Sequence, residues 1–194
     1  MKPIIVIPAR SGSKRLPGKN LMSIGGMTLI RRCIGTALAT GLGQVWVNSD
    51  SDDIYLDALP GANVFLRPIY LGRDDTTTEE VIADMARKQQ WIFDQPIILM
   101  QCTSPFTTKE DIIALYANYR RHQPVALCRA DEAKPCGAGY VFPAILPLKG
   151  MLFDPAINWG YYNFSNNGDI DVDTQEDFDK ALAQQATIES RGGP

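Results

Sequence analysis

Basic side chains, glycines and prolines are concentrated in residues 8–20, directly after the apolar run 4–7. A buried strand that breaks into such a turn brings backbone N–H groups and cations to one point in space. Polyphosphates bind to that combination of groups. The pattern therefore predicts a phosphate-binding loop, and its cations are Arg10, Lys14, Arg15 and Lys19.

Two known phosphate-binding patterns do not fit this loop. A Walker A loop has four residues between its glycines and then Lys-Ser or Lys-Thr, whereas five residues separate Gly12 from Gly18, and Lys19 precedes Asn20. The dinucleotide pattern Gly-x-Gly-x-x-Gly is absent too, as is its acidic residue about twenty positions later. These departures argue against a P-loop NTPase and a redox Rossmann enzyme. A solvated basic loop at a strand end is the alternative interpretation.

Acidic side chains are concentrated in residues 169–179, whereas residues 1–49 contain basic side chains and no acidic one. Asp171 and Asp173 alternate in this segment, so an extended backbone would direct both carboxylates to one side. Such a pair can ligate Mg²⁺ together with phosphate oxygens. Asp173 could instead favour the dipole of the helix expected after it. The opposite charges predict a site where phosphates and a metal ion meet, and not a nucleic-acid surface.

The composition is that of a globular protein, because 45% of the 194 residues are hydrophobic, 21% are charged and the net charge is −3. The length predicts a single domain over residues 1–194. No apolar run is long enough to cross a bilayer and no secretory signal is visible, so we expect a cytoplasmic protein without membrane contact. The four cysteines form no Cys-x-x-Cys pair, which predicts reduced thiols, and the one histidine, His122, is expected in solvent.

Strands alternate with helices through the first two thirds of the chain. Apolar runs predict strands at 4–7, 44–48, 62–66, 96–100 and 124–128, and helical periodicity predicts helices at 28–40, 53–59, 76–88 and 108–121. Weaker signals predict strands at 140–142 and 159–164, and a last helix from about 174 to 189. This order predicts an α/β fold with a three-layer, Rossmann-like architecture. Its sheet would be mainly parallel, with helices on both faces and ligands at the carboxyl ends of the strands.

Three stretches of the chain together resemble the CMP-sialic acid synthetase (acylneuraminate cytidylyltransferase) family. They are residues 7–20, 101–105 and 170–177, in the same order and at similar separations, and Arg67-Pro68 matches a further family position. The resemblance covers almost the whole chain and implies a nucleotidyltransferase fold. It also implies transfer of CMP from CTP to the anomeric hydroxyl of a sialic-acid-like (nonulosonic) sugar acid, with release of pyrophosphate.

The resemblance further implies roles for individual residues. Those that would hold the nucleotide and its triphosphate are Arg10, Ser11, Gly12, Ser13, Lys14, Lys19, Asn20 and Arg67. Gln101 would hydrogen-bond the sugar acid, and Asp171 and Asp173 would ligate Mg²⁺. Arg10 and Lys19 would join the two aspartates as catalytic residues, because phosphoryl transfer depends on positioning and charge neutralisation. The sequence identifies no general base, and the choice of CTP follows from the resemblance alone.

Three departures from the family pattern concern the acceptor. Thr107 stands where sialate-activating relatives carry arginine, and Gln101 is not followed by the Gly-Asp-Glu-Pro of the Kdo-activating branch, which therefore fits less well. The segment 129–138 is shorter than the family's arm, which covers the sugar and contacts a partner subunit. We therefore expect a monomer or a weak homodimer. Two alternatives stay open: a nucleotidyltransferase for another sugar or nucleotide, and a non-catalytic nucleotide-binding relative.

Overall fold

The computed structural model describes residues 1–58, 61–120, 123–129, 134–163 and 170–191. The strands in these ranges are β1 (Ile4–Pro8), β2 (Ser23–Ile24), β3 (Met27–Thr28), β4 (Gln44–Ser49), β5 (Asn63–Leu66), β6 (Pro96–Met100), β7 (Val125–Cys128), β8 (Pro135–Pro143) and β9 (Gly160–Asn163). The helices are α1 (Leu29–Ala39), α2 (Asp52–Ala58), α3 (Thr78–Lys88), α4 (Lys109–Asn118), α5 (Ile145–Leu148) and α6 (Gln175–Ser190). Short 3₁₀ turns lie at Lys19–Leu21 and Ile69–Gly72.

Seven of these strands form one sheet in the order β5-β4-β1-β6-β8-β7-β9. Strand β1 lies parallel between β4 and β6, β5 is parallel to β4, and β9 is parallel to β7. Strand β8 runs antiparallel between β6 and β7. The mainly parallel sheet predicted from the sequence is confirmed, with one strand that runs against the others.

Side chains that alternate along β1 enter two apolar layers, one on each face of the sheet. Ile5 and Ile7 pack with helices α1, α2 and α4, whereas Ile4 and Val6 pack with α3. Burial on both faces explains why the strand is an uninterrupted apolar run. The predicted three-layer α/β architecture, with helices on both faces, is confirmed.

A third apolar cluster joins the basic loop to the C-terminal helix, and we name it the loop–α6 cluster. Its buried members are Leu16, Ile24, Leu29, Val172, Phe178 and Ala181. Because Val172 lies between Asp171 and Asp173, its burial beside Leu16 brings the acidic segment next to the basic loop. This cluster is therefore the part of the fold that assembles the two charged segments.

Capping residues fix several helix ends where the sequence predicts them. The Thr77 hydroxyl accepts a hydrogen bond from the backbone N–H of Glu80, whose carboxylate accepts one from the backbone N–H of Thr77. Thr174 and Asp177 form the same capping box at the start of α6. Gly41 follows α1 with a φ of 64°, a left-handed conformation that glycine adopts without strain.

Helix α4 is shorter than predicted. It ends at Asn118, because Tyr119 takes an extended conformation and Arg120 forms a β-bridge with Gln123 just before β7. The predicted helix end at 121 and the predicted solvated His122 lie outside the described residues, as do residues 59 and 164 at two other predicted ends.

The sequence patterns do not predict helix α5, the β2–β3 hairpin or the first half of β8. Gly25 and Gly26, with φ of 58° and 75°, form the hairpin turn between strands of only two residues, too short for an apolar alternation. Strand β8 is rich in glycine, and at Gly139 a Cβ would lie 2.9 Å from Cδ1 of Leu127.

Among the helices of the described ranges, none combines the length and the apolar character needed to span a bilayer.

Candidate functional site

A cavity of about 340 Å³ opens beside the carboxyl ends of β1 and β6. Its volume is within the usual range for small-ligand pockets. Seven of the residues that the sequence singles out line it, namely Arg10, Lys19, Asn20, Arg67, Gln101, Asp171 and Asp173. The structure therefore brings both charged segments and the segment after β6 to one place.

The tip of the basic loop lies outside the cavity wall, and Ser11, Gly12, Ser13 and Lys14 belong to it. The backbone N–H and the hydroxyl of Ser11 donate to the two carboxylate oxygens of Asp50, at 2.9 and 3.1 Å. The Lys14 side chain is 76% exposed. Apart from Gly12 and its two chain neighbours, no atom of the described residues lies within 4 Å of a Cβ built at Gly12.

Each basic side chain in the cavity wall lies against a carboxylate. Arg10 Nη1 is 2.7 Å from Asp74 Oδ1, and Lys19 Nζ is 2.6 Å from Asp173 Oδ1. The contact between Arg67 and Asp50 is longer than these two, with Arg67 Nη2 at 3.5 Å from Asp50 Oδ1. The cavity therefore holds cations whose charge is balanced by neighbouring aspartates.

Burial distinguishes Arg67 from the other two cations. Only 7% of the residue is exposed, and its Nε has no hydrogen-bond partner among the described residues. Burial lowers the pKa of the Arg67 guanidinium, and the nearby Asp50 carboxylate opposes that shift. Since a guanidinium stays protonated in proteins, Arg67 is a buried cation whose Nε–H forms no hydrogen bond with the described residues.

Asp173 is held by two cations from the basic loop. Its Oδ1 accepts from Lys19 Nζ and its Oδ2 accepts from Arg15 Nη2, both at 2.6 Å. The Lys19 ammonium also donates to the backbone oxygen of Val172 at 3.1 Å. Arg15, which is one of the predicted loop cations but has no predicted role in the site, is thus a direct neighbour of the acidic segment.

Asp171 is in a different environment from Asp173. Its Oδ1 is buried and has no hydrogen-bond partner among the described residues. Burial raises the pKa of the Asp171 carboxyl, and a hydrogen bond with the Thr103 side chain acts in the opposite direction. The backbone N–H of Val172 donates to the backbone oxygen of Thr103 at 2.7 Å, which fixes the acidic segment to the turn after β6. Asp171 therefore lines the cavity with one carboxylate oxygen that forms no hydrogen bond with the described residues.

Asn20 and Gln101 occupy the cavity wall in different ways. The Asn20 side chain is buried, its Nδ2 donates to the Arg10 backbone oxygen at 2.9 Å, and its Oδ1 accepts from Cys102 Sγ at 3.0 Å. Both polar ends of Asn20 are thus used to hold the loop. The backbone N–H of Gln101 donates to the backbone oxygen of Ala138 at 3.1 Å, and Gln101 lines the cavity.

Sequence reasoning misses Asp50 and Asp74, which balance the cavity cations. Residues 49–52 span the end of β4 and the start of α2 and suggest a helix cap, and the Ser51 hydroxyl does accept from the Ile54 N–H at 3.4 Å. Asp50 turns instead to Ser11 and Arg67. Its place at the end of a strand beside β1 is a signal that could have found it, whereas Asp74 lies far from any strand end and gives none.

Residues 4–142 match a family model described as Cytidylyltransferase. The chain belongs to the cytidylyltransferase family. The resemblance to CMP-sialic acid synthetases stated from the sequence is confirmed at family level by curated relatives. The matched segment of this cytidylyltransferase family member includes the basic loop, Arg67 and Gln101, and it ends before Asp171 and Asp173.

Two curated relatives illustrate the match. N-acylneuraminate cytidylyltransferase of Streptococcus agalactiae is 33% identical over 128 residues, which are 63% of this chain and 30% of that protein. CMP-N,N'-diacetyllegionaminic acid synthase of Legionella pneumophila is 38% identical over 117 residues, 58% of this chain and 50% of that protein. The alignments thus span half or less of the length of these relatives.

A solved structure extends the likeness of this cytidylyltransferase family member to nearly the whole chain. CMP:2-keto-3-deoxy-manno-octonic acid synthetase complexed with CTP superposes with a TM-score of 0.75 at 19% identity, over 96% of this chain and 99% of that one. At this identity the likeness concerns the fold. It confirms the nucleotidyltransferase fold predicted from the sequence.

Proposed function

We propose that this chain transfers CMP from CTP to the anomeric hydroxyl of a sialic-acid-like sugar acid, with release of pyrophosphate. The observation that carries the proposal is the cavity in which Arg10, Lys19 and Arg67 lie with Asp171 and Asp173. Cations that can bind phosphates stand there beside carboxylates that can bind a metal ion. Membership of the cytidylyltransferase family supports cytosine as the base of the nucleotide.

In this proposal the basic loop holds the triphosphate. Arg10 and Lys19 would exchange their carboxylate partners for phosphate oxygens, which carry more negative charge and accept several hydrogen bonds. Gly12, Ser13 and Lys14 would contribute N–H groups, a hydroxyl and a charge from the tip of the loop. Ser11 would join them only by giving up its hydrogen bonds to Asp50. Asn20 would act through the loop backbone that it holds, and the free Nε of Arg67 would donate to the nucleotide.

Asp171 and Asp173 would hold a divalent ion, for which we propose Mg²⁺. The unpartnered Oδ1 of Asp171 fits a cation ligand, and Asp173 becomes free when Lys19 and Arg15 turn to phosphates. In the described ranges no group of three or more His, Cys, Asp or Glu side chains could hold a metal ion by itself. Phosphate oxygens and water would complete the coordination, as Mg²⁺ prefers. The ion would supply charge neutralisation at the transferring phosphate.

The reaction is a substitution at the α-phosphorus of CTP. The anomeric oxygen of the acceptor forms a bond to that phosphorus, the bond to the bridging oxygen of the β-phosphate breaks, and pyrophosphate leaves while the hydroxyl proton goes to solvent or a base. Lys19 and Arg10 would stabilise the charge that develops on the leaving group. Gln101 would orient the sugar acid. The named substrates of the two curated relatives support an acidic sugar as acceptor.

A pyrophosphate-release assay tests the proposal. Each of the four nucleoside triphosphates is combined with an N-acylneuraminic acid, N,N'-diacetyllegionaminic acid or 2-keto-3-deoxy-manno-octonic acid in the presence of Mg²⁺ or Mn²⁺. Release that requires CTP, a sugar acid and the metal is the expected result. Release with another base supports a nucleotidyltransferase of different specificity, and tight CTP binding without release supports the non-catalytic relative.

A further inference from the structure

Asp74 holds two cations of the basic loop at once. Its Oδ1 lies 2.7 Å from Arg10 Nη1 and its Oδ2 lies 3.0 Å from Lys14 Nζ. Both carboxylate oxygens are therefore charge-assisted acceptors, as two oxygens of a phosphate group would be. The same two cations are assigned to the triphosphate in the proposed function.

Asp74 belongs to the cavity and to a segment that faces the ligand. It lies between the turn Ile69–Gly72 and helix α3, and Thr76 and Thr78 from the same segment also line the cavity. The Asp74 side chain is 42% exposed, whereas that of Asp50 is 11% exposed and accepts from the Ser11 backbone. Asp50 is thus part of the framework, while Asp74 is an accessible carboxylate on the cations.

We propose that Asp74 is an internal counter-ion that a polyphosphate must displace, and that it thereby sets the affinity and selectivity of the phosphate site. The proposal rests on the proposed function, because it assumes that Arg10 and Lys14 bind phosphates. Lys14 and Arg10 hold the pKa of Asp74 below its usual value, so the carboxylate is charged at neutral pH.

The displacement has a consequence for selectivity. A phosphate ligand can bind Arg10 and Lys14 only when their two ion pairs with Asp74 break. A single phosphate group replaces only part of the interaction that is lost. A ligand with two or three linked phosphates reaches both cations and also Lys19. A monophosphate that replaces only one of the two ion pairs stays beside the Asp74 charge and is repelled by it, so Asp74 disfavours monophosphates more strongly than pyrophosphate or a triphosphate, which replace both pairs.

Substitution Asp74→Asn tests the proposal, because it keeps the shape of the side chain and removes its charge. Inorganic pyrophosphate is the probe, since it reports on the cations without a contribution from the base. We expect pyrophosphate binding, measured by calorimetry, to become about two- to fivefold tighter, the size expected for an exposed ion pair. Inorganic phosphate should gain by a larger factor than pyrophosphate.

Asp84→Asn is the matched control, since Asp84 pairs with Lys88 one turn away on α3 and does not line the cavity. Its pyrophosphate affinity should equal that of the unchanged chain. Asp74→Ser repeats the charge removal with a smaller side chain and should also tighten binding. Equal or weaker pyrophosphate binding in both Asp74 variants, with melting temperatures like that of the control, overturns the proposal.

Competition with CTP separates this inference from the proposed function. If CTP displaces pyrophosphate from the unchanged chain and the Asp74 variants bind no tighter, the counter-ion proposal fails and the proposed function stands. If CTP does not displace pyrophosphate while the variants do bind it more tightly, the proposed function fails and the counter-ion remains.

Discussion

Substitution of Lys19 by methionine tests the basic loop most directly. Methionine keeps most of the aliphatic length, and the Lys19 side chain is only 15% exposed, so packing is largely preserved. Loss of a charged partner to phosphate should cost about 1.5 to 3 kcal/mol of CTP binding. That free energy corresponds to a Kd about 10 to 150 times larger.

The effect of the same substitution on stability should be smaller. The change removes the hydrogen bonds of Lys19 to Asp173 and to the Val172 oxygen, but Asp173 keeps its ion pair with Arg15 at 2.6 Å. We expect a loss of about 1 kcal/mol, which lowers the melting temperature of a chain of this size by about 2 to 4 °C.

Calorimetric titration with CTP and CMP in the presence of Mg²⁺ measures the first effect, and thermal unfolding measures the second. Lys88→Met, which removes an exposed partner of Asp84 on α3, serves as the control and should leave CTP binding unchanged. CMP should lose less affinity than CTP, because Lys19 is proposed to face the outer phosphates. If CTP affinity stays within a factor of two while the melting temperature falls by more than roughly 5 °C, Lys19 is a structural residue and the phosphate assignment is wrong.

Three further predictions concern the acidic segment and the assembly state. Mg²⁺ should raise the melting temperature only when CTP is present, and neither Asp171→Asn nor Asp173→Asn should retain this effect; a full metal response in both variants contradicts the metal site. Burial raises the pKa of Asp171 in the folded state, so as the pH rises this carboxyl ionises first in the unfolded chain, and the folded chain loses stability. Without metal, Asp171→Asn should therefore melt at a higher temperature than the unchanged chain at pH 7. The two melting temperatures should approach each other near pH 3. Only residues 129–134 join β7 to β8, so light scattering should show a monomer or a weak dimer, and a tight dimer at nanomolar concentration contradicts this.

The fold was predictable because its signals are local. The run 96–100 is apolar at every position and becomes the fully buried strand β6, and Thr77 with Glu80 marks the start of α3 within four residues of sequence. The β2–β3 hairpin also has a local signal, Gly25-Gly26, but its two-residue strands carry no periodicity to support it. The strand positions, and therefore the edge of the sheet where ligands bind, follow from such short patterns.

Most carboxylate partners of the basic loop were not predictable, because they are distant from it in sequence, and of these only Asp50 had a signal, its position at a strand end. Asp74 lies 64 residues from Arg10 in sequence, and Asp50 lies 39 residues from Ser11. Many aspartates in the chain could neutralise the basic loop, and only the packing of the segments decides which ones do. The loop motif indicates that phosphates bind there, but the competition between phosphates and these carboxylates emerges only from the three-dimensional structure.

The loop–α6 cluster gives the site a stability of its own, distinct from that of the sheet. Its residues are distinct from those of the two apolar layers on β1, and only Leu29 belongs to a helix that also packs in one of them, so we expect the C-terminal helix and the hairpin to open as one local unit while the sheet stays folded. Such an opening would part Asp173 from Lys19 and dismantle the cavity without global unfolding. Phe178, buried in this cluster and outside the cavity wall, would then control how often the chain is competent to bind, although it touches no ligand.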